Sequence, residues 1–199
     1  MKLRPIVAAL ALLTAAPAFA QSAVIDLEAA PSYASIGSFY SSLGAVFGPD
    51  AQGLANDDLG PYFSNAPSPL GVMFASGADA AMNAVAGRFF FDSVSFAYSS
   101  SAAVAGAVQV WSGLNGTGSL LASVDLANNA TSNGCSSSAY CNFGTATMSF
   151  SGYAQSVTFG GTASAAVIDN IAITAVPEPA TTLMLALGLG GLVARRRRA

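Results

Sequence analysis

The chain has 199 residues with no histidine, two cysteines, seven Lys and Arg and ten Asp and Glu, for a net charge of −3. Six of the seven bases are Lys2, Arg4, Arg195, Arg196, Arg197 and Arg198, which leaves Arg88 against nine acids between Gln21 and Ala175, a formal charge of minus eight. Such a body repels polyanions, which excludes nucleic acid as a partner, and the missing histidine excludes Ser-His-Asp, Cys-His and His-ligated zinc chemistry.

Residues 1–20 read as a secretory signal peptide. Lys2 and Arg4 form a basic start, Ile6 to Ala16 an apolar stretch and Ala18-Phe19-Ala20 an A-x-A cleavage site. Cleavage after Ala20 makes Gln21 the mature N-terminus. The next 155 residues, 21–175, are the size of one domain and are rich in Ser, Ala, Gly, Val and Phe, so they are expected to form β-sheet with small-residue turns.

Strands are expected at Val24–Glu28, Ala45–Phe47 and Gly71–Phe74. Pro49 to Pro69, with four prolines, Gly53 and Gly60, reads as a loop, and Gly77 to Gly87 as either a short helix or a loop. The strongest strand is Val94 to Tyr98, where Val94, Phe96 and Tyr98 alternate with Ser95 and Ala97. Val108–Trp111 and Leu120–Val124 make a hairpin through Asn115-Gly116, and Thr147–Phe150 with Ser156–Phe159 suggests a second across Ser151-Gly152. Val167 to Thr174 is the last strand. Eight or so short strands predict an all-β, antiparallel β-sandwich of jelly-roll type.

The tail, 176–199, reads as a unit of its own. Pro177-Glu178-Pro179 is followed by an apolar run from Ala180 to Ala194 and then by Arg195–Arg198. As a helix the run is about 22 Å long, a marginal span for a hydrocarbon core of roughly 30 Å. The arginines place its end on the cytoplasmic side. This order resembles the PEP-CTERM sorting signal of Gram-negative bacteria. The resemblance implies export, anchoring in the inner membrane through the tail, processing near Pro177-Glu178-Pro179 by the enzyme exosortase, and release to the cell surface or medium in a biofilm or envelope setting. It says nothing of activity in the body.

Cys135 and Cys141, in a Ser- and Asn-rich segment of an exported chain, are expected to form a local disulfide. The body also has no lysine, so carboxylates are the catalytic groups left to it. No spacing singles out the facing pair that glycoside cleavage needs, and the body is expected not to be an enzyme.

Asp169 shares its period-two face with Val167, Ile171 and Ile173, and a carboxylate on an apolar face needs a partner. Backbone N–H groups, Arg88 and a structural calcium are the options. Asp26 or Glu28 with Asp169 resembles the calcium site of jelly-roll carbohydrate-binding modules, which implies a metal site at Asp26, Glu28 and Asp169. Trp111, Tyr33, Tyr40, Tyr62, Tyr98, Tyr140 and Tyr153 are the aromatics able to stack on a pyranose ring, and Trp111, which faces opposite Val108 and Val110, is the candidate platform for a sugar, with exopolysaccharide as partner.

Overall fold

The computed structural model describes residues 21–177. The signal peptide expected at 1–20 and the span and arginines expected at 180–198 lie outside the described residues. Among the described residues no helix is long and apolar enough to cross a membrane.

Among the described residues, eleven strands form two antiparallel sheets packed face to face. They are β1 (Gln21–Ile25), β2 (Ala45–Phe47), β3 (Ala51–Leu54), β4 (Val72–Ala75), β5 (Ala81–Ala84), β6 (Arg88–Ser100), β7 (Val104–Trp111), β8 (Leu120–Leu126), β9 (Gly144–Ala154), β10 (Ser156–Thr158) and β11 (Ala166–Pro177). The first sheet runs β3-β4-β11-β6-β9, with β1 also paired to β11, and the second runs β2-β5-β10-β7-β8. The described residues therefore form an all-β sandwich.

Alternation creates the core. Val94 and Phe96 of β6, Met148 of β9 and Ile171 and Ile173 of β11 project inward to meet Met82 of β5, Val108 and Val110 of β7 and Val157 of β10. Phe96 packs edge-on against Phe159, with ring centroids 5.9 Å apart. Each such side chain contributes about 1.5 to 3 kcal/mol when fully removed from water. The β7–β8 hairpin forms as expected, and Asn115 supplies its left-handed residue at φ 52°.

Four expectations are corrected. Ala51–Leu54, inside the expected loop at 49–69, is a strand pairing with β4. Ala81–Ala84, inside the segment read as helix or loop, is a strand between β2 and β10. The second hairpin does not form, because β9 pairs with β6 in one sheet while β10 pairs with β5 and β7 in the other. The chain changes sheets at Gln155, whose N–H donates to the Trp111 carbonyl.

The fourth correction concerns β11. Ala166 and Ile168 face the main core, as do Ile171 and Ile173, so parity reverses between 168 and 171. Asn170 lies there in the left-handed region at φ 47°, the conformation by which a bulge adds one residue to a strand. Val167 consequently belongs to a second, smaller cluster with Leu54, Phe63, Ala66 and Val72. This cluster lies on the outer face of β3, β4 and β11. It is covered by the 55–71 loop, which carries Phe63 down to 1% exposure.

Candidate functional site

Asn56 shapes that covering loop. Its Oδ1 accepts from the N–H groups of Tyr62 (2.9 Å) and Phe63 (3.2 Å), and its Nδ2 donates to the Phe63 carbonyl at 2.9 Å. The loop is next tied to the cysteine segment, with Ser64 N–H donating to Tyr140 O at 3.0 Å and Tyr140 N–H to Tyr62 O at 3.3 Å. Cys135 and Cys141 form the expected disulfide, with Cα atoms 5.9 Å apart. Tyr140 is thus fixed both by its own backbone and by the bridge one residue away.

Beside this junction is a cleft of about 150 Å³ lined by Tyr33, Leu54, Phe74, Tyr140, Ser164, Ala166 and Val167. Leu54, Phe74 and Val167 come from the three adjacent strands β3, β4 and β11, where Phe74 and Val167 are direct cross-strand partners. Tyr33 stands over this apolar floor, edge-on to Tyr62 (5.9 Å) and Phe74 (6.3 Å). Its backbone is in the left-handed region at φ 54°, which costs a bulky residue on the order of 1 to 3 kcal/mol. The segment is held there by the edge of β3: Tyr33 N–H donates to Gly53 O at 2.8 Å and Gly53 N–H to Ala34 O at 3.1 Å.

Position 53 must be glycine for this docking. A Cβ there would stand 2.6 Å from the Pro31 carbonyl oxygen. At the mouth of the loop the Tyr62 hydroxyl donates to Asp57 Oδ2 at 3.4 Å. Hydrogen bonding with Tyr33, then desolvation, then Asp57 hold the Tyr62 phenol above its ordinary value.

Trp111 and the acids Asp26, Glu28 and Asp169 lie elsewhere. Trp111 is half-buried, and its indole N–H donates to Thr158 Oγ1 at 3.2 Å, beside a groove formed by Gln109, Asn115, Gly116 and Thr158. It is braced rather than presented as an open platform. Exposed aromatic side chains are found at Tyr33, at Phe39 and, as a pair, at Phe91 and Tyr153, whose rings lie 5.7 Å apart on the outer face of β6 and β9.

Asp169 is fully buried, but on the loop side of β11 rather than in the main core. Its Oδ2 accepts from Ser68 N–H and its Oδ1 from Asn170 N–H, both at 2.7 Å. Burial pushes its carboxyl up to about 6, with Glu28 and Asp26 adding to the rise and the two N–H groups opposing it. The same acids act on Tyr40, whose phenol is pushed up to about 12, first by burial and next by Asp26.

Asp26, Glu28 and Asp169 therefore interact electrostatically, yet they do not fit the expected calcium centre. Glu28 Oε1 accepts from Leu70 N–H (2.8 Å) and Gly71 N–H (3.3 Å), and Asp26 Oδ1 from Glu28 N–H at 3.4 Å. Among the described residues no group of three or more acids, histidines or cysteines is placed to hold a metal ion. Of the three partners open to Asp169 in the sequence, the structure shows backbone N–H groups.

The Tyr33 cleft was not legible beforehand, since its members come from positions 33, 54, 74, 140 and 167 and no local spacing links them. Of the sorting motif only Pro177, at the end of β11, is described, and Glu178, Pro179 and Arg195–Arg198 lie outside. No curated protein and no solved structure matches the chain. Residues 175–198 match the PEP-CTERM protein-sorting motif, so the chain carries the tail of exported proteins that are sorted and processed by exosortase.

Proposed function

We infer that the protein is a non-catalytic cell-surface or extracellular-matrix component. In this reading residues 1–20 are a signal peptide, 21–175 are the delivered sandwich domain, and 176–199 anchor the chain in the inner membrane until exosortase processes it. The observation that carries the reading is the sorting-motif match at 175–198. The body's chemistry agrees with it, since the chain has no histidine and the body only one base. The change of sheet at each step from β9 to β10 to β11 supports the jelly-roll class of sandwich.

Mass spectrometry of protein from the envelope and the medium tests this. The expected molecule begins at Gln21 and ends near Pro177-Glu178-Pro179. Intact Arg195–Arg198 on most extracellular molecules would overturn the processing scheme.

A carbohydrate-binding role toward exopolysaccharide is the second reading, and the ring of Tyr33, 55% exposed over an aromatic cleft, favours it over Trp111. Glycoside cleavage would need two facing carboxylates. Among the described residues no carboxylate lines the cleft, and the nearby Asp57 is already engaged by Tyr62.

A further inference from the structure

The walls of the Tyr33 cleft are held more firmly than connecting loops require. Tyr33 stays in a left-handed conformation while the residue remains 55% exposed, so burial offsets the strain only in part. Strain of this kind persists where surrounding structure imposes it, and it concentrates at ligand sites. Here the imposing structure is the edge of β3 at Gly53. The opposite wall, Tyr140, is imposed independently by the Cys135–Cys141 bridge and by its bonds to Tyr62 and Ser64. Two separate constraints thus position two aromatic side chains over one apolar floor.

We propose that this cleft is a subsite for one uncharged pyranose unit of a neutral glycan, held between Tyr33, Phe74 and Tyr140. The proposal rests on the carbohydrate-binding reading and names its site and ligand class. A pyranose has apolar C–H faces and a rim of hydroxyls. The cleft offers the complement, with ring and aliphatic surface from Phe74, Leu54 and Val167 and hydroxyl-bearing side chains from Tyr33, Tyr140 and Ser164.

Size and charge narrow the ligand further. A volume of about 150 Å³ is below the range that encloses a drug-sized molecule, which suits a single ring of a chain that continues into solvent. Asp57, bonded to the hydroxyl of the Tyr62 ring that packs against Tyr33, and the net negative body disfavour uronate and sulfated sugars.

The test is calorimetric titration of the mature exported protein with cellohexaose, mannohexaose, chitohexaose and, as the charged counterpart, a hexamer of galacturonate. At least one neutral hexaose is expected to bind, and the galacturonate hexamer more weakly. Tyr33→Gly is the diagnostic variant, because glycine accepts the backbone conformation that strains tyrosine. It is expected to melt at or above the wild-type temperature and yet to bind about tenfold more weakly. Tyr140→Ala should weaken binding similarly, while Tyr153→Ala, outside the cleft, should leave it unchanged. Absence of binding by all three neutral hexaoses would overturn the carbohydrate reading itself. Binding that survives both Tyr33→Gly and Tyr140→Ala would overturn the subsite while leaving that reading intact.

Discussion

Ser68 and Asp169 are 101 residues apart in sequence, and the Ser68 backbone N–H donates to Asp169 Oδ2 at 2.7 Å in a fully buried setting. The second oxygen takes the Asn170 N–H at the bulge where β11 changes parity. A single carboxylate therefore fastens the covering loop to the last strand and caps the backbone at the irregularity. The small outer cluster of Phe63, Leu54, Val72 and Val167 closes beneath that attachment.

Asp169→Ala is expected to leave the Ser68 and Asn170 N–H groups without their acceptor. The loss should be on the order of 1 to 3 kcal/mol in urea unfolding at neutral pH. Hydrogen exchange of the Ser68 amide should rise with it. Wild-type stability and unchanged exchange would show that the bond contributes nothing to closing the loop.

The pH dependence of stability follows from the same group. Its carboxyl is raised to about 6 in the fold from an ordinary 3.8, so the folded state binds the proton more tightly than the unfolded chain. The contribution of Asp169 to stability is then greatest below about pH 4, falls as pH rises through 4 to 6, and levels off above 6. Asp169→Asn should flatten this decline. Thermal melts across that window check it, and an undiminished slope in the Asn variant would place the responsible proton elsewhere.

Removing the disulfide by paired Cys135→Ser and Cys141→Ser substitution should cost on the order of 2 to 3 kcal/mol, since the closed loop is short. The sandwich should persist by circular dichroism, because Cys141 packs outside the main core. Denatured, unreduced wild-type protein should show no reactive thiol. Two titratable thiols per chain would contradict the bridge.

Gly53→Ala places a methyl 2.6 Å from the Pro31 carbonyl oxygen, against backbone that cannot rotate away. The expected cost is about 1 to 3 kcal/mol. The change should also release the segment that aims Tyr33, seen as faster exchange of the Tyr33 amide now bonded to Gly53 O. A melting temperature equal to wild type would mean that the 31–34 segment shifts freely, and that the Tyr33 conformation is not imposed by β3.

The sequence alone determined what rests on local pattern. Alternation in Val94-Ser-Phe-Ala-Tyr98 marked the inward face of β6, Asn115-Gly116 marked the turn of the β7–β8 hairpin, and Pro177-Glu178-Pro179 with the four arginines marked the sorting tail. Such signals are readable because one strand, one turn or one tail carries them whole. Two cysteines six residues apart likewise had a partner within reach of a short loop.

Tertiary structure decided the rest, for reasons that can be named. β3 (Ala-Gln-Gly-Leu) and β5 (Ala-Met-Asn-Ala) are four residues each, without a β-branched or aromatic side chain, and become strands only through the neighbours that pair with them. β9 and β10 look like one hairpin until the choice of partners sends them to different sheets. Parity in β11 put Ile171 and Ile173 on the core face correctly but Val167 and Asp169 wrongly, because one left-handed residue between them, Asn170, breaks the alternation that the single count assumed. The Tyr33 cleft depends on all of these together: its floor needs β3 beside β4 and β11, and its walls come from segments more than a hundred residues apart. Periodicity reports which face of a strand is buried, but which strands become neighbours is a non-local choice, and that choice made the site.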